Sequence, residues 1–210
     1  MTKISIKNIL GIPEIYNLFK KLIVRDLNAL FYQPYIRAKK NDIILDIGCG
    51  PAEVLDYLPE DVQYYGFDFS SRYIKKAQAK YKNRKAFFKN EAILNTNLSE
   101  ELKSKCDIVI AIGVIHHLTD AEVIQLYSLS KLALRTGGRL ITIDPCFIDN
   151  QSIIAQYIAF NDRGKYVRHI NKYKELATNN LDDSVKLTIT NNFLRIPSCD
   201  NLIMEWIKGE

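Results

Sequence analysis

The chain has 210 residues, which is enough for one domain and leaves little for a second. With 47% hydrophobic and 25% charged residues, a full core can be buried, and no apolar stretch reaches the roughly 20 residues of a membrane span. The net charge of +5 comes from lysines and arginines spread through the chain, so we expect no nucleic-acid partner. Charged residues also interrupt the apolar N-terminus where a signal peptide needs a continuous run, and we therefore expect a cytoplasmic protein.

The predicted elements begin with two helical segments. Residues 13–24 place apolar side chains at helical spacing, and a second segment at 25–32 ends before Pro34. From residue 41 to 145, short apolar runs alternate with segments of helical period, which predicts βαβ units. The strand-like runs are 43–47, 62–67, 86–88, 108–112 and 139–143, and the helical segments are 53–58, 71–81 and 121–134.

The last third adds further helices and strands. Helical segments at 151–160 and 171–177 precede an alternating strand at 184–190, and the apolar segment 193–206 can supply an edge strand. We therefore predict an α/β fold with a doubly wound, mainly parallel sheet of seven strands, an N-terminal helical cap and antiparallel C-terminal strands. Because no linker marks a boundary, we expect a single domain over 1–210, with the cap at 1–40, the core at 41–145 and substrate-side elements at 146–210.

The stretch ILDIGCGPAEVLDYLP, residues 44–59, predicts a strand, a tight glycine turn and a helix. Such a turn brings bare backbone up to a ligand, either a dinucleotide pyrophosphate or a nucleoside that carries another group. The dinucleotide fingerprint needs a third glycine three positions after the second, and Glu53 stands there. A carboxylate at that place repels a diphosphate, which disfavours a nicotinamide-dependent dehydrogenase. Asp46, two residues before Gly48, would instead suit a cation.

A second carboxylate supports the nucleoside interpretation. Asp68 ends the next predicted strand in YYGFDFSS, where it can accept both hydroxyls of a ribose. The acidic residue before the G-x-G turn, followed by Asp68 at this distance, resembles the first two motifs of the class I S-adenosylmethionine-dependent methyltransferases. FFKNEA, CDIVIAIGVIHHLTD and LALRTGGRLITIDP resemble the three motifs that follow in that family, so the resemblance covers residues 41–145.

The resemblance implies a Rossmann-like sheet with S-adenosylmethionine as cofactor and S-adenosylhomocysteine as product. The glycines would let the backbone approach the methionine and adenosine moieties, Asp68 would hold the ribose, and Glu91 with the Ala92 amide would recognise the adenine edge. The residues that we expect to bind the cofactor are Asp46, Gly48, Cys49, Gly50, Asp68, Phe69, Glu91, Ala92, Ala111 and Ile112.

Two histidines are the candidates for catalysis. His116 and His117 follow the fourth strand, whose carboxyl end should border the methyl group, and histidine is the side chain best suited to accept a proton near neutral pH. The alternative is that either histidine is tied into the junction between sheet and helix.

The loop DRGKYVRH, residues 162–169, should lie over the crevice at the carboxyl ends of the strands. Its arginines could bind a carboxylate or phosphate of the acceptor, although a solvated connector is an alternative. A tyrosine of the N-terminal helix could reach the cofactor from above, and simple packing would also explain it. The residues that we expect on the substrate side are Tyr16, Arg163, Tyr166 and Arg168.

Absent motifs narrow the acceptor. The fourth strand runs into AIGV rather than the Asn/Asp-Pro-Pro-aromatic motif of amino-methylating relatives, and no cysteine follows it as C5-pyrimidine methylation requires. The four cysteines lie far apart without a C-x-x-C pair, so we expect neither a metal site nor disulfides. We therefore predict methyl transfer to an oxygen of a small-molecule or sugar-like acceptor. An RNA- or protein-directed methyltransferase and a non-catalytic S-adenosylmethionine-binding protein are the alternatives, and the sequence indicates no oligomeric state.

Overall fold

The computed structural model describes residues 26–92, 98–162, 164–191 and 199–209. The predicted helix at 13–24, which includes Tyr16, and the loop residue Arg163 lie outside these ranges. Within the described residues, no helix is both long and apolar enough to cross a membrane.

Eight strands in the described part of the chain form one sheet. They are β1 Ile43–Ile47, β2 Gln63–Asp68, β3 Ala86–Asn90, β4 Cys106–Ile112, β5 Leu134–Phe147, β6 Arg168–His169, β7 Lys186–Thr190 and β8 Asn201–Ile207. The order is β3-β2-β1-β4-β5-β8-β7, and the two-residue β6 pairs with β5 beside that path. The pairs among β1 to β5 are parallel, whereas β8 runs antiparallel to both β5 and β7. The predicted α/β sheet with antiparallel C-terminal strands is confirmed, and β6 is an addition to the seven expected strands.

The strand order places a ligand crevice between β1 and β4. From β1 the chain winds outward through β2 to β3, then crosses to β4 and winds through β5 in the opposite direction. The connections that follow β1 and β4 therefore leave on opposite faces of the sheet, and a crevice opens at the carboxyl ends of these strands.

The sheet is buried on both faces, which explains its apolar strand sequences. Ile44 packs on one face with Ile108 and Ile110, while Leu45 packs on the other face with Val109. All five side chains are almost completely buried. Parallel strands covered on both sides need apolar residues at successive positions, so strict alternation is lost.

Four α-helices are described, and two of them have side-chain caps that bear on the site. They are α1 Ser71–Lys80, α2 Asp120–Ala133, α3 Ile153–Phe160 and α4 Ile170–Asn180. The Ser70 hydroxyl accepts a hydrogen bond from the Tyr73 N–H at the start of α1. Thr119 and Glu122 form a capping box at the start of α2, in which each side chain bonds to the backbone of the other residue.

The structure differs from the sequence prediction at Pro34. A π-helix runs from Asn28 to Ile36 and includes the proline, whereas we expected a helix that ends before it. The Arg37 N–H donates to the Tyr32 carbonyl, five residues back, at 3.2 Å. The wider turns of a π-helix relieve the clash between the proline ring and the preceding carbonyls that would break an α-helix.

Two further elements differ from expectation. The helical segment after the glycine turn is only a short 3₁₀ turn, Glu53–Asp56, preceded by Ala52 in the left-handed region. β5 begins at Leu134 rather than at residue 139, because the two glycines at 137 and 138 lie in an irregularity within the strand. The pairing of β4 with β5 shifts register there, so the glycines lie in a bulge of the strand.

Candidate active site

A cavity of about 550 Å³ opens at the carboxyl ends of β1, β2 and β4. Backbone of two glycine turns and apolar side chains form most of its wall. Among the described residues, the acidic and basic side chains in the lining are three carboxylates and one histidine. The lining consists of Ile47, Gly48, Gly50, Phe67, Asp68, Phe69, Tyr73, Glu91, Ala92, Gly113, Val114, His117, Leu118 and Glu122.

The glycine turn after β1 forms the floor of the cavity. Gly48 and Gly50 have φ values of 71° and 53°, in the left-handed region that favours glycine. A Cβ atom at Gly48 would lie 2.7 Å from Cγ2 of Val114, whereas nothing lies within 4 Å of a Cβ at Gly50. The N–H groups of Gly48 and Cys49 donate to the Phe67 carbonyl at 2.8 and 3.0 Å. The turn is thereby fixed to the end of β2, and position 48 requires glycine for both conformation and space.

Asp68 joins the glycine turn to the start of α1. Its Oδ2 accepts the Gly50 N–H at 2.9 Å and its Oδ1 accepts the Ser70 N–H at 2.7 Å. The carboxylate lines the cavity although its residue is only 7% exposed. It is therefore held rigidly, with one backbone donor on each oxygen.

Glu91, Ala92 and Phe69 lie at the end of the cavity toward β3. The Glu91 N–H donates to the Asp68 carbonyl at 3.1 Å, and its carboxylate pairs with Lys89 at 2.6 Å. Phe69 is 82% exposed and presents an apolar wall. All three residues line the cavity as we expected from the sequence, while their roles toward a ligand stay predictions.

Asp46 and Cys49 lie beneath the cavity and are not part of its lining. Successive side chains of a strand point to opposite faces, and Asp46 points to the face where Tyr64 lies, so that it accepts a hydrogen bond from the Tyr64 hydroxyl. Burial raises the pKa of Asp46 to about 7, even though the bond from Tyr64 opposes this. The Cys49 thiol points toward Gly66, and burial raises its pKa as well. Direct contact with a ligand is not the role that these two positions support.

The two adjacent histidines have different environments. Nδ1 of His116 lies 2.7 Å from Oδ1 of Asp144, and its Nε2 lies 3.2 Å from Oδ1 of Asp162. His117 is exposed and lines the cavity, with its ring centroid 4.1 Å from that of His116. Partial burial, followed by the neighbouring His116, lowers the pKa of His117. The His117 ring is therefore neutral near pH 7 and faces the cavity, whereas both ring nitrogens of His116 are engaged.

Arg168 is buried and not free to bind an acceptor, contrary to the expectation from sequence. Its guanidinium pairs with Asp120 at 2.8 Å and donates to backbone carbonyls of residues 115 and 118. Tyr166 is partly exposed, and the Arg168 guanidinium lies 5.8 Å from the centre of its ring. The loop that we expected to lie over the crevice is thus attached to the turn after β4 by Arg168, which we had predicted to face the substrate.

Sequence comparison identifies the segment that carries this cavity. Residues 45–140 match the model of a family described as a methyltransferase domain. The match runs from β1 into β5 and includes the glycine turn, Asp68 and both histidines. This segment is therefore similar to a methyltransferase domain. Curated protein sequences give no match to the chain.

Solved structures show that the fold of this chain is widespread. A possible exported protein from Bordetella parapertussis superimposes with a TM-score of 0.69 at 14% identity, over 100% of this chain and 75% of the other. Phosphoethanolamine N-methyltransferase 2 from Haemonchus contortus, solved with S-adenosyl-L-methionine, gives 0.64 at 13% identity over 87% and 52%. Geranyl diphosphate C-methyltransferase from Streptomyces coelicolor A3(2), solved with Mg²⁺, geranyl diphosphate and S-adenosyl-L-homocysteine, gives 0.60 at 16% identity over 91% and 68%. At these identities the likeness establishes the fold alone.

Part of the cavity lining was not predicted from the sequence. We expected Ala111 and Ile112 at the cofactor, but Ala111 is fully buried in the core and Ile112 packs against the opposite cluster. The lining begins one residue later, at Gly113, whose φ of 67° turns the chain into the cavity. Gly113 could have been predicted as a lining residue from its place after the fourth strand. Tyr73 and Glu122 could not have been predicted, because each reaches the cavity from the first turn of a helix. No cluster of His, Cys, Asp and Glu in the described ranges could hold a metal ion.

Proposed function

We propose that this cavity binds S-adenosylmethionine and that the protein transfers a methyl group to an oxygen atom of a small-molecule or sugar-like acceptor. The observation that carries the proposal is Asp68, a rigidly held carboxylate that joins the glycine turn to α1 in the wall of the cavity. Methyltransferases of this fold act on acceptors as different as phosphoethanolamine and geranyl diphosphate, so the acceptor has to be argued from the site itself.

The residues of the cavity fit this cofactor. Its volume of about 550 Å³ lies within the range of small-molecule sites. The carboxylates of Asp68, Glu91 and Glu122 favour a ligand with an ammonium, a sulfonium and a ribose diol, and they disfavour a diphosphate. Close approach of the ligand to backbone at Gly48 is possible because the position has no Cβ.

Asp68 retains the acceptor capacity that a ribose needs. A carboxylate offers about four lone-pair sites, and backbone donors at Gly50 and Ser70 use one site on each oxygen. One site on each oxygen is then left for the two ribose hydroxyls. The exposed ring of Phe69 and the Ala92 backbone supply the apolar and hydrogen-bonding surfaces expected for an adenine.

His117 is the residue that we assign to the acceptor proton. When bound, S-adenosylmethionine supplies an activated methyl group that an acceptor oxygen can attack. The neutral ring of His117 can accept the proton that the acceptor hydroxyl loses, which is worth about 10²–10⁴-fold in rate. His116 cannot do so because Asp144 and Asp162 engage both its nitrogens.

The cofactor assignment is tested by calorimetric titration of the protein with S-adenosylmethionine, S-adenosylhomocysteine and NAD. We expect binding of the first two, no binding of NAD, and a loss of about 100-fold or more in Asp68→Ala, because two charge-assisted hydrogen bonds to the ligand disappear. Glu60→Ala is the matched control, since Glu60 is an exposed carboxylate outside the cavity. Binding of NAD, or no binding of either methionine derivative, contradicts the assignment.

The acceptor assignment is tested with a labelled methyl donor and a panel of hydroxylated small molecules, with RNA and protein fractions as comparison. We expect label in small-molecule ethers and a loss of about 10²–10⁴-fold in His117→Ala at unchanged S-adenosylhomocysteine affinity within a few fold. Label that enters RNA or protein instead overturns the small-molecule assignment, and label on nitrogen overturns the oxygen assignment.

A further inference from the structure

The turn of residues 115–118, here called the His117 turn, is bonded to a side chain from a distant part of the chain. Arg168 donates from Nη1 to the Ile115 carbonyl at 3.2 Å and from Nη2 to the Leu118 carbonyl at 2.6 Å. Its Nε donates to Oδ1 of Asp120 at 2.9 Å. The Arg168 side chain is only 8% exposed, so its bonds to the two backbone carbonyls are shielded from water, whereas the Asp120 side chain is 47% exposed. One guanidinium thus spans the His117 turn and the first residue of α2.

Neighbours of Arg168 close the remaining contacts of the same turn. The Tyr166 N–H donates to the His116 carbonyl at 2.9 Å. Gly164 lies so close to His116 that a Cβ atom there would be 2.0 Å from its Cδ2. The His116 ring itself lies between Asp144 of β5 and Asp162 of the loop. The His117 turn is therefore enclosed by the sheet on one side and by Asp162, Gly164, Tyr166 and Arg168 on the other.

We propose that Arg168 is a positioning residue, which holds the His117 turn in the conformation that presents His117 and Leu118 to the cavity. This inference rests on the proposed function, because it assigns a purpose to the orientation of His117. Arg168 itself is not a residue of the cavity lining.

The bonding pattern requires an arginine. A guanidinium carries five N–H donors in a planar fork, so it can bond two carbonyls and a carboxylate that lie in different directions. A lysine in the same place keeps the charge and can pair with Asp120, but its donors radiate from one atom and cannot also reach both Ile115 and Leu118. Arg168→Lys therefore removes the planar fork of donors while it keeps the positive charge.

The test compares Arg168→Lys with Arg135→Lys. Arg135 is a matched control because it also bonds a carboxylate and a carbonyl, those of Asp107 and Thr136, but lies at the beginning of β5 away from the cavity. Three quantities are measured for each variant: the thermal unfolding midpoint, the affinity for S-adenosylhomocysteine by calorimetry, and the pKa of His117 by NMR titration of labelled histidine. The chain has three histidines, so the signals can be assigned by single substitutions.

We expect Arg168→Lys to bind S-adenosylhomocysteine about tenfold more weakly, which is the loss of roughly one good contact at the cavity wall. We also expect the pKa of His117 to rise toward that of a hydrated histidine. Partial burial and the neighbouring His116 lower the pKa of His117, whereas Asp162 and Asp144 raise it. All of these influences weaken when the turn moves into water. A purely stabilising role of Arg168 would lower the unfolding midpoint and leave the His117 titration of the folded protein unchanged.

An unchanged His117 titration and unchanged affinity in folded Arg168→Lys overturn the proposal. If that variant does not fold, Asp120→Ala decides in the same way, since it removes the carboxylate that orients the Arg168 guanidinium toward the turn. If the wild-type protein binds no S-adenosylhomocysteine, the proposed function fails, while the His117 titrations of the variants still test whether Arg168 positions the turn.

Discussion

The two sides of the cavity are built by different kinds of contact. On the side of β1 and β2, backbone groups of neighbouring strand ends bond to one another and to Asp68, and the glycine turn is closed by the Phe67 carbonyl. On the side of β4, the His117 turn is held by side chains of Arg168 and Asp144, which come from elements remote in sequence. The first side is therefore stabilised mainly by local geometry, and the second by buried charged and polar contacts between distant segments. Substitutions should affect stability most on the second side and ligand binding most on the first.

The largest effect on stability is expected for Asp144→Ala. Asp144 is 2% exposed and its Oδ1 accepts from both the backbone N–H and Nδ1 of His116. Its removal leaves buried donors without this partner, and we expect the free energy of unfolding to fall by about 3–5 kcal/mol. Chemical denaturation measures the change.

Asp162→Ala is the matched comparison on the same histidine. The Asp162 side chain is 34% exposed and lies 3.2 Å from the other ring nitrogen of His116, so we expect a loss below about 1 kcal/mol. Equal losses in the two variants would show that burial does not distinguish the two carboxylates, and the proposed contrast between the two sides of the cavity would lose its basis.

The second largest effect is a pH dependence of stability that we expect from Asp46, the buried carboxylate under the glycine turn. Its pKa is raised from an ordinary 3.8 to about 7, first of all by burial, so the native protein holds a proton that the unfolded chain has lost at intermediate pH. The stability associated with this proton is fully present below about pH 4 and is lost as pH rises through about 7. At about 1.4 kcal/mol per pKa unit, the loss is up to about 4 kcal/mol.

Asp46→Asn should remove this dependence, because the amide oxygen can still accept from the Tyr64 hydroxyl without becoming charged. We expect the stability of the variant relative to wild type to increase between pH 4 and pH 8, as measured by urea denaturation at several pH values. Asp183→Asn, at an exposed carboxylate, should leave the pH dependence of wild type in place. A variant whose stability follows the same pH curve as wild type would show that Asp46 is charged throughout.

The two glycines of the turn provide the next comparison. Both have positive φ, so alanine costs about 1 kcal/mol at either position. Only Gly48→Ala also brings a methyl group to 2.7 Å from Val114, and we expect a total loss of about 2–3 kcal/mol together with at least tenfold weaker S-adenosylhomocysteine binding. Gly50→Ala should lose about 1 kcal/mol. The double variant Gly48→Ala with Val114→Ala should recover part of the binding, and no recovery would mean that the contact is not the cause.

Site residues could be predicted from the sequence where their relative positions are set by local geometry. Gly48 and Asp68 could be placed because a strand, a glycine turn and a second strand end determine their relative positions within about twenty residues. The burial of Arg168 could not be predicted, since its partners at residues 115–120 lie about fifty residues away in the sequence. An arginine in a polar loop also gives no indication in the sequence that it is buried. Asp46 was predicted on the correct strand, but the face of the sheet to which its side chain points could be seen only from its position relative to Tyr64. The division of roles between His116 and His117 likewise became visible only when Asp144 and Asp162 were seen to enclose one of them.

The smallest effect is expected at Thr119, the residue that caps the start of α2 on the β4 side of the cavity. Its hydroxyl and N–H both bond to the Glu122 carboxylate, at 2.7 and 2.8 Å, and this bonding lowers the pKa of Glu122. Thr119→Ala should cost about 1 kcal/mol of unfolding free energy, the usual value of a helix cap, and the pKa of Glu122 should return toward its ordinary range. Thr178→Ala, which removes a hydroxyl bonded within α4, is the control for a lost threonine.

The same variant tests the role of Glu122 in the cavity. The capping box sets the orientation of the Glu122 side chain, so the S-adenosylhomocysteine affinity of Thr119→Ala shows whether that orientation matters for binding. A change below about twofold would leave ligand recognition to Asp68 and the glycine turn, whereas a tenfold loss would make the start of α2 a third element of the binding site.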